Sequence, residues 1–328
     1  MSLLSVIKQD LAVNQIITMK LKNKFIYTIS LLVILLFISE TFLRTYLGFC
    51  HAVLVREDPN YEYISAANQH VYRFRKNVFY NEQSMRSPSI DSNSIHILGF
   101  GDSLINGGVL TDQDSLATTK LTTALSEIYG KKVQFLNISA GSWGPDNCYA
   151  YLEQHGAFAA EKIYLFVSSH DAHDNMRFEK VVGISKDHQD KQYKIALFEL
   201  LDRYVIPILK GKLLKPSQDI DKQPLSKEFN PGFEKFAAYS KIHHIPLVIY
   251  LHAEITEMQA GKYNQQGQGI IQFAKDNHID LLMDIEQVKE NDYSDQIHLN
   301  EHGQGTITAA VLKEYARVND PRFAIIRH

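Results

Sequence analysis

An α/β domain on a parallel sheet covered on both faces, preceded by one membrane-spanning helix, is the fold class that this 328-residue sequence predicts. Three observations predict it. From residue 93 onward short apolar runs alternate with amphipathic helical patterns, as strand–helix–strand units require. Ahead of them an uncharged apolar run succeeds three lysines. The composition, 45% hydrophobic and 22% charged, is that of a folded globular chain and not of a disordered or polytopic one.

The N-terminal region comes first. Lys20, Lys22 and Lys24 precede the run Phe25–Ser39, which carries no charge, and its extension to Phe49 adds only Glu40 and Arg44. The lysines place the N-terminus inside by the positive-inside rule. Residues 1–24 are then a cytoplasmic tail and residues 25–47 a single transmembrane span. The rest of the chain faces the periplasm or the cell exterior. No small-residue cleavage site succeeds Ser39, and bulky Phe49 precedes Cys50, so the run reads as an uncleaved signal anchor; a cleaved signal peptide is the alternative. Residues 48–92 form a connector. With Tyr61, Tyr63, Tyr72, Phe74 and Tyr80 it is too aromatic for a floppy linker and is expected to pack on the main domain.

Residues 93–328 form that main domain. Strands are predicted over Ile95–Phe100, Val133–Ile138, Ile163–Val167, Pro246–Leu251 and Ile279–Met283. Helices are predicted over Asp114–Tyr129, stopped by Gly130, and over Asn147–Ala160, Phe233–His243, Asn264–Asn277 and Glu301–Val318. Residues 176–230 break the rhythm as a helical insertion. Within it Tyr193–Lys210 carries Ala196, Leu197, Leu200, Leu201, Tyr204, Ile208 and Leu209 on a helical face. That helix packs on the core, closes as a lid, or lies on the membrane.

Charge and cysteines narrow the function. Thirty-four basic residues against 37 acidic ones, a net charge of −3, give no electrostatic footprint for nucleic acid. Two cysteines, Cys50 and Cys148, exclude a disulfide scaffold and a Cys-rich zinc site and allow at most one disulfide.

Ligands of parallel sheets sit at the carboxyl ends of the strands. There the first strand runs into Gly99-Phe100-Gly101-Asp102-Ser103-Leu104-Ile105-Asn106. The glycines are expected to permit a sharp turn. Ser103 on that turn is a candidate nucleophile, or simply a helix cap. Near the end of the chain Asp295-Gln296-Ile297-His298 precedes Asn300, which reads as the N-cap of the last helix. Three residues apart in a turn, the carboxylate can reach one imidazole nitrogen and leave the other to take a serine proton.

Gly101-Asp102-Ser103-Leu104 near the domain start, with Asp295-x-x-His298-Leu299-Asn300 near its end, resembles the SGNH (GDSL) hydrolases of the membrane-anchored bacterial type. The resemblance covers about residues 93–318. It implies a flavodoxin-like three-layer α/β/α sandwich and ester hydrolysis or acyl transfer through an acyl-serine. Ser103 would be nucleophile, His298 general base and Asp295 its partner. The family's second block supplies a backbone amide to the oxyanion. In Asn137–Pro145 that falls to Gly141, with Ser142 or Gly144 as alternatives. Its third block has an asparagine donor, where this chain has His170 in Ser168-Ser169-His170-Asp171. An imidazole N–H can also donate. Asp171 matches the rest of that block and is assigned to substrate binding. Trp143, the only tryptophan, either stacks on a sugar ring or wedges its loop against the core. Asn81 and Met85-Arg86 resemble a motif that precedes the catalytic domain in bacterial members. The run His170-Asp171-Ala172-His173-Asp174 has ligand types for a metal ion, though no metal or other cofactor is assigned.

The expected activity is that of an esterase or acyltransferase acting on O-acyl groups, O-acetyl foremost, of an envelope or secreted polysaccharide. The partners are the acylated carbohydrate or other ester, the membrane through the N-terminal helix, and envelope polysaccharide machinery. A non-catalytic glycan-binding or assembly protein on the same fold and a lipid esterase or thioesterase are the alternatives.

Overall fold

The N-terminal apolar run lies inside one long helix, α1 (Leu3–Thr45), in a computed structural model that describes residues 3–213 and 226–319. Its stretch Ile17–Thr45 is long and apolar enough to cross a membrane. The helix begins well before residue 25. The tail preceding the apolar run holds four leucines and four lysines, and good helix formers propagate a helix once it is nucleated.

Two antiparallel hairpins come next. The first pairs β1 (Val55–Asp58) with β2 (Glu62–Ser65), the second β3 (Gln69–Arg73) with β4 (Lys76–Tyr80). Tyr61, Tyr63, Ile64 and Met85 are buried and belong to the same hydrophobic core as the sheet.

The central sheet contains β5 (Ile95–Gly101), β6 (Val133–Ser139), β7 (Lys162–Ser168), β8 (Leu247–His252) and β9 (Asp280–Met283), all parallel, in the order β6-β5-β7-β8-β9. Counted from β5, that order is 2-1-3-4-5, the flavodoxin-like arrangement. Four strands are buried almost throughout, as strands covered on both faces must be. The connecting helices are α2 (Ser103–Asn106), α3 (Ala117–Tyr129), α4 (Pro145–His155), α5 (Ala196–Leu200), α6 (Ile206–Leu213), α7 (Gly232–His243), α8 (Ile255–Ala260), α9 (Gln265–Asp276) and α10 (Glu301–Asn319). Right-handed crossovers send α3 to one face and α4, α7 and α9 to the other. α10 packs on α3, α4 on α7, and Phe233 of α7 meets Phe273 of α9.

Local differences from the expected elements have local causes. α3 starts at Ala117, because Asp112 caps a separate short turn, Gln113–Ser115. α4 ends at His155, where Gly156 takes a positive φ of 77° that other residues resist. The helix expected over Tyr193–Lys210 runs as α5, a π-helical turn at Leu201–Val205, and α6. The stretch 214–225 of the helical insertion lies outside the described residues. Gly99 and Gly101 do not serve a left-handed turn. A Cβ on Gly99 would come within 2.7 Å of the Phe135 ring, and one on Gly101 within 2.9 Å of the Phe166 carbonyl oxygen. They let β5 lie close to its neighbours. Cys50 and Cys148 are both free, so the disulfide that the sequence allowed does not form.

Arg86 joins the region before the sheet to the loop after β5. It is fully buried, and its guanidinium donates to the carbonyls of Asn106 and Gly108 and to that of Thr111 at 2.7 Å. Asn81 holds the turn before it, accepting from Gln83 N and Met85 N at 2.9 and 3.0 Å. Arg86→Ala leaves several buried carbonyls without donors. The expected cost is roughly 2–4 kcal/mol of unfolding free energy. A urea midpoint unchanged from the parent chain would contradict this account.

Candidate active site

In a 2-1-3-4-5 sheet the strand order reverses between the first and third strands, and the crevice there is where ligands bind. Here those strands are β5 and β7. Ser103 comes after the first and His170 after the second.

Asp102 is the N-cap of α2, its Oδ1 accepting from Leu104 N at 2.9 Å, which fixes Ser103 as the first helical residue. The short helix is held from both sides. Asn137 Nδ2 donates to Ile105 O at 2.8 Å, and Asn106 Nδ2 to Ser139 O at 3.0 Å. Gln304 of α10 donates to Leu104 O at 2.7 Å and accepts from Ala117 N at 2.9 Å, binding the last helix to the serine turn.

The loop before α10 is equally determined. Asn300 Oδ1 accepts from His302 N and Gly303 N, at 2.8 and 3.1 Å, as the N-cap that the sequence predicts. Asp295 Oδ1 accepts from Ile297 N and His298 N, at 3.0 and 2.8 Å. Its Oδ2 accepts from His298 Nδ1 at 2.7 Å. On the other side of the ring, His298 Nε2 lies 3.0 Å from Ser103 Oγ. Asp102 Oδ2 is the competing acceptor for the serine proton, at 3.3 Å. The structure therefore brings Ser103, His298 and Asp295 together as one hydrogen-bonded chain. Burial works to raise the Asp295 carboxyl pKa, but the hydrogen bonds from His298 and Ile297 outweigh it and hold the group below the usual carboxylate range. The dyad is open to solvent, with Asp295 52% and His298 39% exposed.

His170 sits in a short turn, Ser169–Ala172, at the end of β7. With Ser103, His298, Ser142 and Glu254 it lines a cavity of about 520 Å³. Its Nδ1–H donates to Glu254 Oε1 at 3.1 Å, and its Nε2 lies 4.0 Å from Asp102 Oδ2 and 3.9 Å from Asp171 Oδ1. Burial opposes the charged ring, yet Asp171, Glu254 and Asp102 together push its pKa up to about 10. At neutral pH this is an imidazolium, with both nitrogens donors.

Other predicted residues are placed differently. Asp171 is buried, and its Oδ2 accepts from Ser168 N at 2.6 Å. It shapes the turn and supports His170 and does not reach into the cavity. Trp143 is 1% exposed, packed edge-on against Tyr61 with its Nε1–H on Tyr63 O at 2.8 Å. No sugar can stack on it; it is the wedge. Gly141 is exposed but is not among the cavity-lining residues, whereas Ser142 is, held at a positive φ of 57°. Gly144 is closed off by Asp174 O, 2.1 Å from where a Cβ would stand. His173 turns away to Glu228 O at 3.0 Å, so the two histidines do not converge on a metal. Asp102, His170 and Asp171 do offer ligand-type atoms within 4.8 Å of one another, with the imidazolium supplying the compensating positive charge.

Glu254 lies in no motif that the sequence displays. It stands two residues beyond the end of β8, at the sheet edge that also carries Ser103 and His170. That position is the signal that could have found it.

No family model matches the chain, and no curated protein does. Among solved structures it is similar to a two-domain esterase (CEX) active on acetylated mannans, at 10% identity and a TM-score of 0.42, over 69% of this chain and 50% of that one. It thus spans about half the length of that protein. It is also similar to a lipase/acylhydrolase from Enterococcus faecalis, at 11% identity and a TM-score of 0.40 over 67% of this chain and 94% of that one. A third is Est24, a carbohydrate acetylesterase from Sinorhizobium meliloti, at 11% identity and a TM-score of 0.37 over 69% and 100%. These neighbours are esterases and acylhydrolases; likeness at this level does not carry their substrates across.

Proposed function

We propose that the chain is a membrane-anchored serine esterase or O-acyltransferase of SGNH type, acting on O-acyl, foremost O-acetyl, groups of an envelope or secreted polysaccharide. The observation that carries the reading is the unbroken chain from Asp295 through His298 to Ser103, at 2.7 and 3.0 Å, opening on a cavity at the switch point of the sheet.

Ser103 Oγ attacks the acyl carbonyl as His298 Nε2 takes its proton. Asp295 holds the imidazole in the tautomer that leaves Nε2 free and stabilises the imidazolium that forms. The developing oxyanion is met by the amides of Ser103 and Ser142 and by the Nε2–H of His170. His298 then returns its proton to the leaving sugar oxygen, giving acyl-Ser103 and a free hydroxyl. Water or a second sugar hydroxyl, deprotonated by His298, resolves the ester. The polysaccharide class rests on the membrane-crossing helix beside an ester-cleaving centre, because envelope glycans are assembled there.

A fluorophosphonate probe should label Ser103, with loss of labelling in Ser103→Ala. The chain should release acetate from O-acetylated polysaccharide before labelling and not after. Absence of labelling in the folded parent chain would leave the glycan-binding alternative. A preference for long-chain over acetyl nitrophenyl esters would favour the lipid esterase instead. A reporter fused after His328 should be active only outside the cytoplasm.

A further inference from the structure

We infer that the apolar face formed by Ile195, Phe198, Leu201, Ile206, Ile208 and Leu209 is a second membrane contact, seated in the lipid at the exit end of α1. All six side chains are exposed, Phe198 by 58%. The proposal rests on α1 spanning the bilayer.

The opposite face of the same segment is bound to the end of that helix. Ala196, Leu197, Leu200 and Tyr204 pack with Leu43 and Phe49. The Glu40 carboxylate accepts from Ala196 N and Leu197 N, at 2.8 and 2.9 Å, capping α5, and Arg44 donates to Lys194 O. A buried ion pair locks the junction. Arg73 meets Glu199 at 2.7 Å, donates to Gly48 O and Tyr204 OH at 3.0 Å each, and lies over the rings of Phe49 and Phe74. Cys50 N donates to the second Glu199 oxygen at 2.6 Å. α5 therefore cannot drift from the membrane helix.

The depth is set by the helix rise. From Lys24 to Arg44 the chain climbs twenty residues, about 30 Å, which equals the hydrocarbon thickness of a bilayer. With the lysines at the inner boundary, the outer boundary falls at Glu40–Arg44, the residues to which 194–197 are bonded. Exposed Phe42 and Tyr46 mark the same level, where aromatic side chains favour the interface. The apolar residues next to that level face acyl chains and headgroups, the environment of an interfacial helix. The occupant is the bilayer itself, because the surface continues the lipid-facing surface of α1.

The test uses the natural tryptophan background. Trp143 is buried in the core, so Phe198→Trp adds one exposed reporter to the full-length chain. It is reconstituted in vesicles of phosphatidylcholine and phosphatidylglycerol, with and without phosphatidylcholine brominated on its acyl chains. Ile242→Trp, at a site 70% exposed on α7, is the control. The expected result is blue-shifted emission from position 198 that is lost in proportion to the brominated fraction, with the control and the parent chain unaffected. Emission from position 198 that survives the brominated lipid would overturn the proposal. If aqueous acrylamide also fails to quench it, the occupant is a second protein copy. Equal quenching at both positions would overturn it as well, by showing the whole domain lying on the surface. A chain that does not float with the vesicles removes the spanning helix and the proposal together, whereas flotation without quenching removes the proposal alone.

Discussion

Ser103→Ala is expected to lower ester turnover on the order of 10⁴-fold or more while the chain stays folded. In the proposed mechanism this hydroxyl forms the acyl bond, and it is the one within 3.0 Å of His298 Nε2. Its polar contacts are the 3.0 Å one to His298 and the 3.3 Å one to Asp102, so its removal costs under about 1 kcal/mol of stability. His298→Ala gives a comparable loss, because a serine hydroxyl is a poor nucleophile with no acceptor for its proton. Asp295→Asn gives a smaller loss. The carboxylate is about half open to water, and solvent takes over part of its orienting role. Turnover on an acetyl ester, measured beside thermal unfolding, checks the series. Activity of Ser103→Ala within tenfold of the parent chain would remove Ser103 from the reaction.

The second large effect is expected at His170. Losing one oxyanion donor costs about a hundredfold or more in rate, so His170→Ala should lower kcat strongly and KM little. His170→Asn restores an amide donor and should recover much of the loss. The pH dependence separates the two donors. The folded pKa of His170, about 10, is raised above the ordinary histidine value of 6.5. The imidazolium, and the stability it contributes, are therefore complete below about 6.5 and are lost as pH rises through about 10. Turnover of the parent chain, corrected for spontaneous hydrolysis, should fall on that alkaline limb. His170→Asn should lack the limb. Glu254→Gln removes a carboxylate that favours the charged ring and should move the limb to lower pH. If His170→Ala turns over like the parent chain, the oxyanion is held by the Ser103 and Ser142 amides alone. If a chelator abolishes activity, Asp102, His170 and Asp171 hold a cation instead.

The parts of this arrangement legible in the sequence are those fixed by local rules. The strands are short uninterrupted apolar runs such as Ile163–Val167, buried on both faces, and the cap at Asn300 needs only its own side chain and the next three amides. The spacing of Asp295 and His298 also determines their hydrogen bond within one turn. The parts that are not legible depend on which way a loop side chain turns. Trp143 and Ser142 are adjacent in one loop, yet the first enters the core and the second faces the cavity. That division is set largely by Tyr61 and Tyr63, which lie some eighty residues before the loop, together with Tyr151 on the helix that follows it. Asp171 is a different case: its bond to the Ser168 amide spans three residues, as local as that of Asp295, and is passed over because the family resemblance assigns the residue to substrate binding. The hairpins before the sheet escape a reading by pattern because their runs are only four or five residues long and too polar to show alternation.

Ser103 and His298 are hydrogen-bond partners separated by 195 residues of chain. At a synthesis rate of about 5–20 residues per second, the serine emerges some 10–40 s before the imidazole exists. Throughout that interval the hydroxyl has Asp102 as a hydrogen-bond acceptor but lacks the imidazole that would serve as its base, and Gln304 is not yet present to steady the turn that carries it. A nascent chain that stops short of His298 therefore lacks the base that the proposed reaction needs. On the proposed mechanism the site is assembled in one step, when the loop that carries His298 and the helix that carries Gln304 dock on the serine turn.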